Sequence, residues 1–496
     1  MMVARFCAYD RRRPSPRSAQ VALFVARGFT APFKKEEHMQ NQTQDPAGRR
    51  FPEGFVWGAA TASYQIEGAA REDGRSESIW DRFSHTPGKT VNGDTGDVAC
   101  DHYHRWRDDI RLMRDLGLGA YRFSIAWPRI LPEGRGRVNQ AGLDFYDRLV
   151  DGLLEAGITP WATLYHWDMP QVLEDAGGWP NRATAAAFAE YADAITRRLG
   201  DRVKHWITLN EPWCSSFLSY HIGEHAPGRK SFPDAVAAVH TLLLAHGLSV
   251  PIIRGNSPGA QVGITLNLSQ AYPATDSEAD KAAAHRYDGY FNRWFLDPLY
   301  GRGYPADMLA IYGDMAPRTE PADFDAIAAP TDFLGLNYYN PTFIRDDPSE
   351  TGLGIAPVRL DGHEYTAMDW VVYPQGLYDQ LLRVPRDYPT GPLYITENGA
   401  AYDDAPPQQE GGEQRVHDPR RTSYYALHLD AALRAIEAGS PLKGYFAWSL
   451  MDNFEWAWGY TRRFGITYVD YETQQRTLKD SARWYREVIA ANGLVE

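Results

Sequence analysis

HWITLNEP, residues 205–212, runs from an apolar stretch directly into a carboxylate at Glu211. LYITENG, residues 393–399, does the same at Glu397. A carboxylate at the C-terminal end of a buried strand is a poor way to build a core. It is where a (β/α)8 barrel keeps its chemistry.

The rest of the chain supports that architecture. From Phe51 onward, strand-like runs over 55–59, 120–127, 160–167, 205–210, 261–268, 332–339, 393–397 and 444–450 alternate with helical spacing. The helical runs are 104–116, 143–156, 184–199, 235–254, 278–295, 376–388, 424–438 and 481–491. Eight strands alternating with eight helices predict a parallel sheet closed on itself, an α/β fold of the (β/α)8 TIM barrel type. Such a barrel needs about 250 residues, so much of the chain must lie in loops. The longest follow strands one, six and seven, over 60–101, 340–374 and 399–421. All three leave the same end of the barrel and would wall a pocket. We therefore read 51–496 as a single catalytic domain with long βα loops.

Residues 1–50 read differently. They hold ten Lys or Arg against four acids, with Pro, Ser and Gln and no sustained periodicity, as in a disordered leader. Met39 stands just ahead of the domain as an alternative start. The whole chain carries a net charge of -13, which argues against nucleic acid or an anionic membrane as partner. No stretch approaches the roughly 18 apolar residues of a membrane span. The apolar run 21–26 is short, ends at Arg27 and lacks a cleavage site, so it does not read as a signal peptide. Cys7, Cys100 and Cys214 are too few for a disulfide framework and read as reduced thiols in a cytoplasmic protein. Asn41 and Asn267 match the glycosylation pattern, which has no force without export.

Two carboxylates facing one cavity are the minimum equipment for cleaving a glycosidic bond. With 15 Trp and 29 Tyr, the composition also supplies the flat faces on which pyranose rings stack. Seven strings then stand in order: FPEGFVWGAATASYQIEG, YRFSIAWPRI, LYHWDMP, TLNEP, LGLNYY, ITENGA and GYFAWSLMDNFEWAWGY. Through them the chain from Phe51 to about Tyr485 resembles glycoside hydrolase family 1, the β-glucosidase family.

The resemblance implies a retaining enzyme that removes terminal non-reducing β-D-glucosyl residues through a covalent glycosyl-enzyme, with β-galactosidase and β-fucosidase side activity. It implies no cofactor and no metal. Small β-glucosides or short β-linked oligosaccharides would be the substrates, in cellulose and other polysaccharide degradation, and a homo-oligomer is compatible with it. By resemblance Glu397 is the nucleophile and Glu211 the acid/base. The physics agrees: two carboxyls about 5–5.5 Å apart cannot both ionise freely, so one keeps its proton. Arg122 resembles the arginine beside the nucleophile, Tyr339 the tyrosine that contacts it, and Asn210 the amide for the sugar 2-hydroxyl. Gln65, His166, Glu455 and Trp456 resemble the clamp on the other hydroxyls, and Trp448 the platform under the ring. Trp370 matches an aromatic on the aglycone side; Trp167, Asn337 and Phe464 would form pocket walls.

Two alternative functions compete with this one. In a 6-phospho-β-glycosidase the position of Glu455 is usually a smaller residue; here its charge would repel a phosphate, with Arg462 and Arg463 the nearest basic residues downstream. A glycan-binding barrel without activity would lack one catalytic glutamate, and both are present. HIGEH, residues 221–225, fits a zinc pattern, but Gly223 and the following Pro227-Gly228 predict a loop rather than the helix that pattern needs. Cys214, three residues past Glu211, reads as a buried thiol.

Overall fold

The computed structural model describes residues 49–350 and 352–495. Eight parallel strands close into a barrel: β1 (Val56–Ala60), β2 (Ala120–Ser124), β3 (Thr159–Tyr165), β4 (His205–Asn210), β5 (Gln261–Asn267), β6 (Phe333–Asn337), β7 (Leu393–Asn398) and β8 (Leu442–Trp448). β1 pairs with both β2 and β8, which completes the ring. The ring is wrapped by helices α1 (His102–Asp115), α2 (Gln140–Glu155), α3 (Ala183–Leu199), α4 (Phe232–Asn256), α5 (Glu278–Asp288), α6 (Pro374–Asp387), α7 (Pro419–Glu437) and α8 (Asp480–Ala491). The strand interiors are buried, as expected of a parallel sheet covered by helices.

An aromatic layer closes the floor of the barrel. Trp161 on β3 stacks on His205 of β4 with centroids 4.2 Å apart, and meets Tyr394 of β7 and Phe446 of β8 edge-on at 4.8 and 5.2 Å. Large rings from several strands fill the interior, so the cylinder is a packed core and its polar residues collect at the C-terminal mouth.

Both strands that lead to the candidate carboxylates are irregular just before them. The register of β4 against β5 shifts between Ile207 and Asn210. That of β7 against β6 shifts between Ile395 and Glu397. A bulge re-aims side chains, and here it lets neighbouring residues share the inward face. Gly399 follows β7 where a Cβ would lie 1.8 Å from the Trp448 carbonyl oxygen, so only glycine lets the ends of β7 and β8 approach.

Several expectations need correction. The composition predicts a leader to residue 50, yet Arg49 is ion-paired with Asp430 and Glu437, and Arg50 bridges to Gly493. The earlier residues, with Met39, Cys7, Asn41 and the run 21–26, lie outside those described. The segment read as a loop through His221 is helical as far as Ile222, where a π-helix (Cys214–Ile222) ends at Gly223 with φ +77°. Its last residues, Glu224 and His225, lie beyond that helix, so the zinc spacing is not realised on one helix face. The single run predicted over 278–295 breaks at a π turn (Gly289–Arg293) before a further helix (Trp294–Leu299). α4 is apolar and long enough to cross a membrane, contrary to the reading of no such stretch; most of it is buried against the barrel and α3. An all-round apolar helix is what a buried position demands. Asn267, which matched the glycosylation pattern, ends β5 with its amide on the Cys214 sulfur.

Candidate active site

The site is assembled from the C-terminal ends of the barrel strands and the loops beyond them. Arg122 comes from β2, His166 and Trp167 from just past β3, and Asn210 and Glu211 from the end of β4. Asn337 ends β6 with Tyr339 two residues on; Glu397 lies on β7 and Trp448 ends β8. Gln65 sits on a short helix (Ser63–Ile66) after β1, and Glu455 and Trp456 on the turn after β8. Three of these residues, Trp167, Glu211 and Trp456, hold positive φ of 80°, 48° and 49°. A non-glycine residue there costs on the order of 1–3 kcal/mol, a cost that surrounding packing must sustain.

Glu397 is buried and held at both oxygens. Oε1 accepts from Arg122 Nη1 at 2.6 Å and Oε2 from the Tyr339 hydroxyl at 2.7 Å. Burial pushes this carboxyl up, while Arg122, Tyr339 and Asn337 favour its charged form. Among the described residues Glu211 makes no ion pair, and the charge of Arg122 is only a minor influence on it. Its Oε1 accepts from Asn337 Nδ2 at 2.6 Å and its Oε2 meets the Cys214 thiol at 3.1 Å. Burial and then the charge of Glu397 raise Glu211 to about 8. Two carboxyls in one pocket are thus driven apart in proton affinity by their neighbours.

Arg122 sets the polarity of the network, because a guanidinium can only donate. Its Nη2 donates to Asn210 Oδ1 at 2.6 Å, which fixes the orientation of that amide. Asn210 Nδ2 must then donate to His166 Nε2, 3.0 Å away. Burial and Arg122 hold His166 well below the usual imidazole range, so the ring is neutral and its proton sits on Nδ1. That Nδ1 is buried and has no protein partner. Asn337 Nδ2 likewise donates to Asn210 Oδ1 at 3.1 Å, while its Oδ1 accepts from Thr396 at 2.7 Å. Glu211 Oε1 therefore accepts the short amide bond, while Oε2 faces only the weaker thiol donor, so a proton on this carboxyl goes more readily to Oε2.

The opposite wall is prepared in the same way. Gln65 Nε2 donates to Asn453 Oδ1 and to the Phe454 carbonyl, both at 2.9 Å, and this leaves Oε1 buried and unpartnered. Glu455 is buried beside it and raised to about 8, chiefly by burial and then by the charge of Glu397. One fixed donor on His166 and one fixed acceptor on Gln65 suit a ligand rich in hydroxyls. Trp448 lies nearly parallel to His166 at 5.7 Å, and Trp456 contacts Trp167 at 4.6 Å. The Trp167 Nε1 donates to the Asn210 carbonyl at 2.9 Å. Towards the outside, Trp370 packs on Tyr339 at 5.1 Å and on Phe464 at 6.0 Å.

The candidate residues named from the sequence are thus joined by one run of hydrogen bonds and ring contacts at the C-terminal ends of the strands. Cys214, Thr396 and Asn453 also belong to it, and no sequence motif marks them as site residues. Thr396 adjoins Glu397, and plain strand alternation would have pointed it away; the bulge in β7 is what brings it in. Among the described residues no group of three His, Cys, Asp or Glu could hold a metal ion.

A barrel with this pocket at its C-terminal mouth defines a glycoside-cleaving class. The sequence profile of glycosyl hydrolase family 1 matches residues 47–494. A thermostable beta-glucosidase B of Thermobispora bispora is 53% identical over 492 residues, covering 98% of each chain. A bifunctional beta-D-glucosidase/beta-D-fucosidase of Bifidobacterium breve is 49% identical, covering 89% of this chain and 98% of its own. The structure of a beta-glucosidase from Thermotoga maritima in complex with glucoimidazole superposes with a TM-score of 0.87 at 50% identity, covering 90% of this chain and 100% of that one. The chain belongs to glycosyl hydrolase family 1.

Proposed function

We propose that this protein is a retaining β-glucosidase that removes terminal non-reducing β-D-glucosyl residues from small β-glucosides and short β-linked oligosaccharides. β-Fucosides and β-galactosides are side substrates, since Gln65 and Glu455 can reach hydroxyls of either epimer. The fucosidase named for the Bifidobacterium breve relative supports that breadth. We place the reaction in the cytoplasm, on the cysteine usage, and in the breakdown of cellulose-derived and related oligosaccharides.

The observation that carries the reading is the opposite treatment of two buried carboxyls: Glu397 ion-paired with Arg122, and Glu211 in no ion pair among the described residues. In the first step Glu397 attacks the anomeric carbon and forms an ester, while the C–O bond to the aglycone breaks and its oxygen takes the proton of Glu211. Esterification removes the charge of Glu397, so the proton affinity of Glu211 falls. Glu211 then takes a proton from water as it attacks the same carbon, and Glu397 leaves as carboxylate. His166 Nδ1 and Gln65 Oε1 meet ring hydroxyls, and the free N–H of Asn210 is available to the 2-hydroxyl.

Hydrolysis of a chromogenic β-glucoside, with the anomer released first read by NMR, tests this. Retained β-configuration is expected. Faster cleavage of the 6-phosphate than of the free sugar, or no cleavage of either, would overturn it.

A further inference from the structure

The mechanism above leaves one polar contact of Glu211 unused. Oε1 accepts a short amide N–H bond and Oε2 only a weak thiol donor, so Oε2 is the oxygen that more readily gains and loses the proton. Its protein partner is the Cys214 sulfur at 3.1 Å. That sulfur in turn accepts from Asn267 Nδ2 at 3.6 Å. Asn267 engages one lone pair of the sulfur, an arrangement compatible with the thiol donating its hydrogen to Glu211. Cys214 opens the π-helix that begins three residues after Glu211, and Asn267 closes the neighbouring strand β5, so two separate elements set the geometry. π turns of this kind are often found where a side chain must be placed for function.

We propose that Cys214, oriented by Asn267, is a positioning residue for the acid/base step, holding the proton-bearing oxygen of Glu211 through both halves of the reaction. The inference rests on Glu211 being the acid/base. A thiol suits the task because it is a weak donor and a weak acceptor. While Glu211 is protonated, the sulfur competes little for the hydrogen that the leaving oxygen must receive. Once Glu211 is a carboxylate, the S–H supports the charged form, and its contribution lowers the proton affinity of Glu211. A hydroxyl would bind Oε2 more strongly in both states, and an alanine would bind it in neither.

Cys214→Ala, Cys214→Ser and Asn267→Ala would be compared with the unaltered enzyme on two β-glucosides, one with a good and one with a poor leaving group. Activity of the unaltered enzyme, with loss in Glu211→Ala, tests the underlying assignment separately. For Cys214→Ala we expect the basic limb of kcat/KM to move up by about half a pH unit, as loss of a hydrogen bond to the charged form requires. We expect kcat/KM for the poor leaving group to fall roughly 3- to 10-fold, with little change for the good one. Asn267→Ala should shift the limb in the same direction by less, and Cys214→Ser should restore it towards the original value. Thermal unfolding of each variant reports whether it folds. An unmoved limb with equal losses on both substrates, in variants that unfold as the parent does, would overturn the proposal and leave Cys214 a packing residue.

Discussion

The Arg122 guanidinium and the Glu397 carboxylate meet at 2.6 Å with both side chains almost wholly excluded from water. Breaking such a pair from one side leaves a buried, uncompensated charge and costs about 3–5 kcal/mol. The same arginine orients Asn210, and through it His166. Arg122→Met should therefore lower kcat/KM by about a hundred- to a thousand-fold. It should also move the acidic limb of the pH profile upward, because Glu397 loses the partner that favours its ionised form. Steady-state kinetics from pH 4 to 9 checks both.

Glu397→Ala should reduce turnover by several orders of magnitude, since it removes the carboxylate assigned to attack the anomeric carbon. Azide should restore part of the activity and yield a glucosyl azide of inverted configuration, identified by NMR. Activity retained without azide would place the nucleophile elsewhere.

The acid/base role makes a prediction about leaving groups. Glu211→Ala should slow cleavage of glucosides with poor leaving groups far more than those with good ones, because the latter depart without a proton. The basic limb expected near pH 8 from the raised carboxyl should disappear in the same variant. Equal losses on both substrate types would contradict the role.

Glu455 links the pocket to stability. Its folded-state proton affinity is raised to about 8 from an ordinary value of 4.5. Between those values the folded protein binds more protons than the unfolded chain, so stability falls as pH rises. The contribution is fully present below the ordinary value and lost as pH passes through about 8. Glu455→Gln removes this titration. Its Tm relative to the parent should be higher at pH 9 than at pH 6, as measured by calorimetry; a Tm difference that does not change with pH would refute the assignment.

The barrel was legible because its signal is periodic and repeated. Each predicted strand overlaps an observed one, and β4 agrees at both ends, since a run such as HWITLN has no other place to go than a buried strand. Glu211 and Glu397 were legible for the converse reason, as acids at the ends of such runs. What sequence could not show depends on contacts between distant segments. Nothing around Cys214 announces that Asn267, 53 residues on, supplies its donor. Asn453 orients Gln65 across 388 residues. Thr396 reaches the site through a bulge, and bulges have no period to read. The small strands Ala271–Pro273, Thr342–Asp346 and Ile355–Pro357 exist by pairing with one another in loops that look irregular in isolation.

The covalent intermediate is the most direct test. A β-glucosyl substrate with fluorine at C2 and a good leaving group forms the ester faster than water can cleave it. Mass spectrometry of the inactivated protein should show one sugar per chain, and peptide mapping should place it on Glu397. An adduct on Glu211 or on any other residue, or rapid turnover with no adduct, would contradict the account.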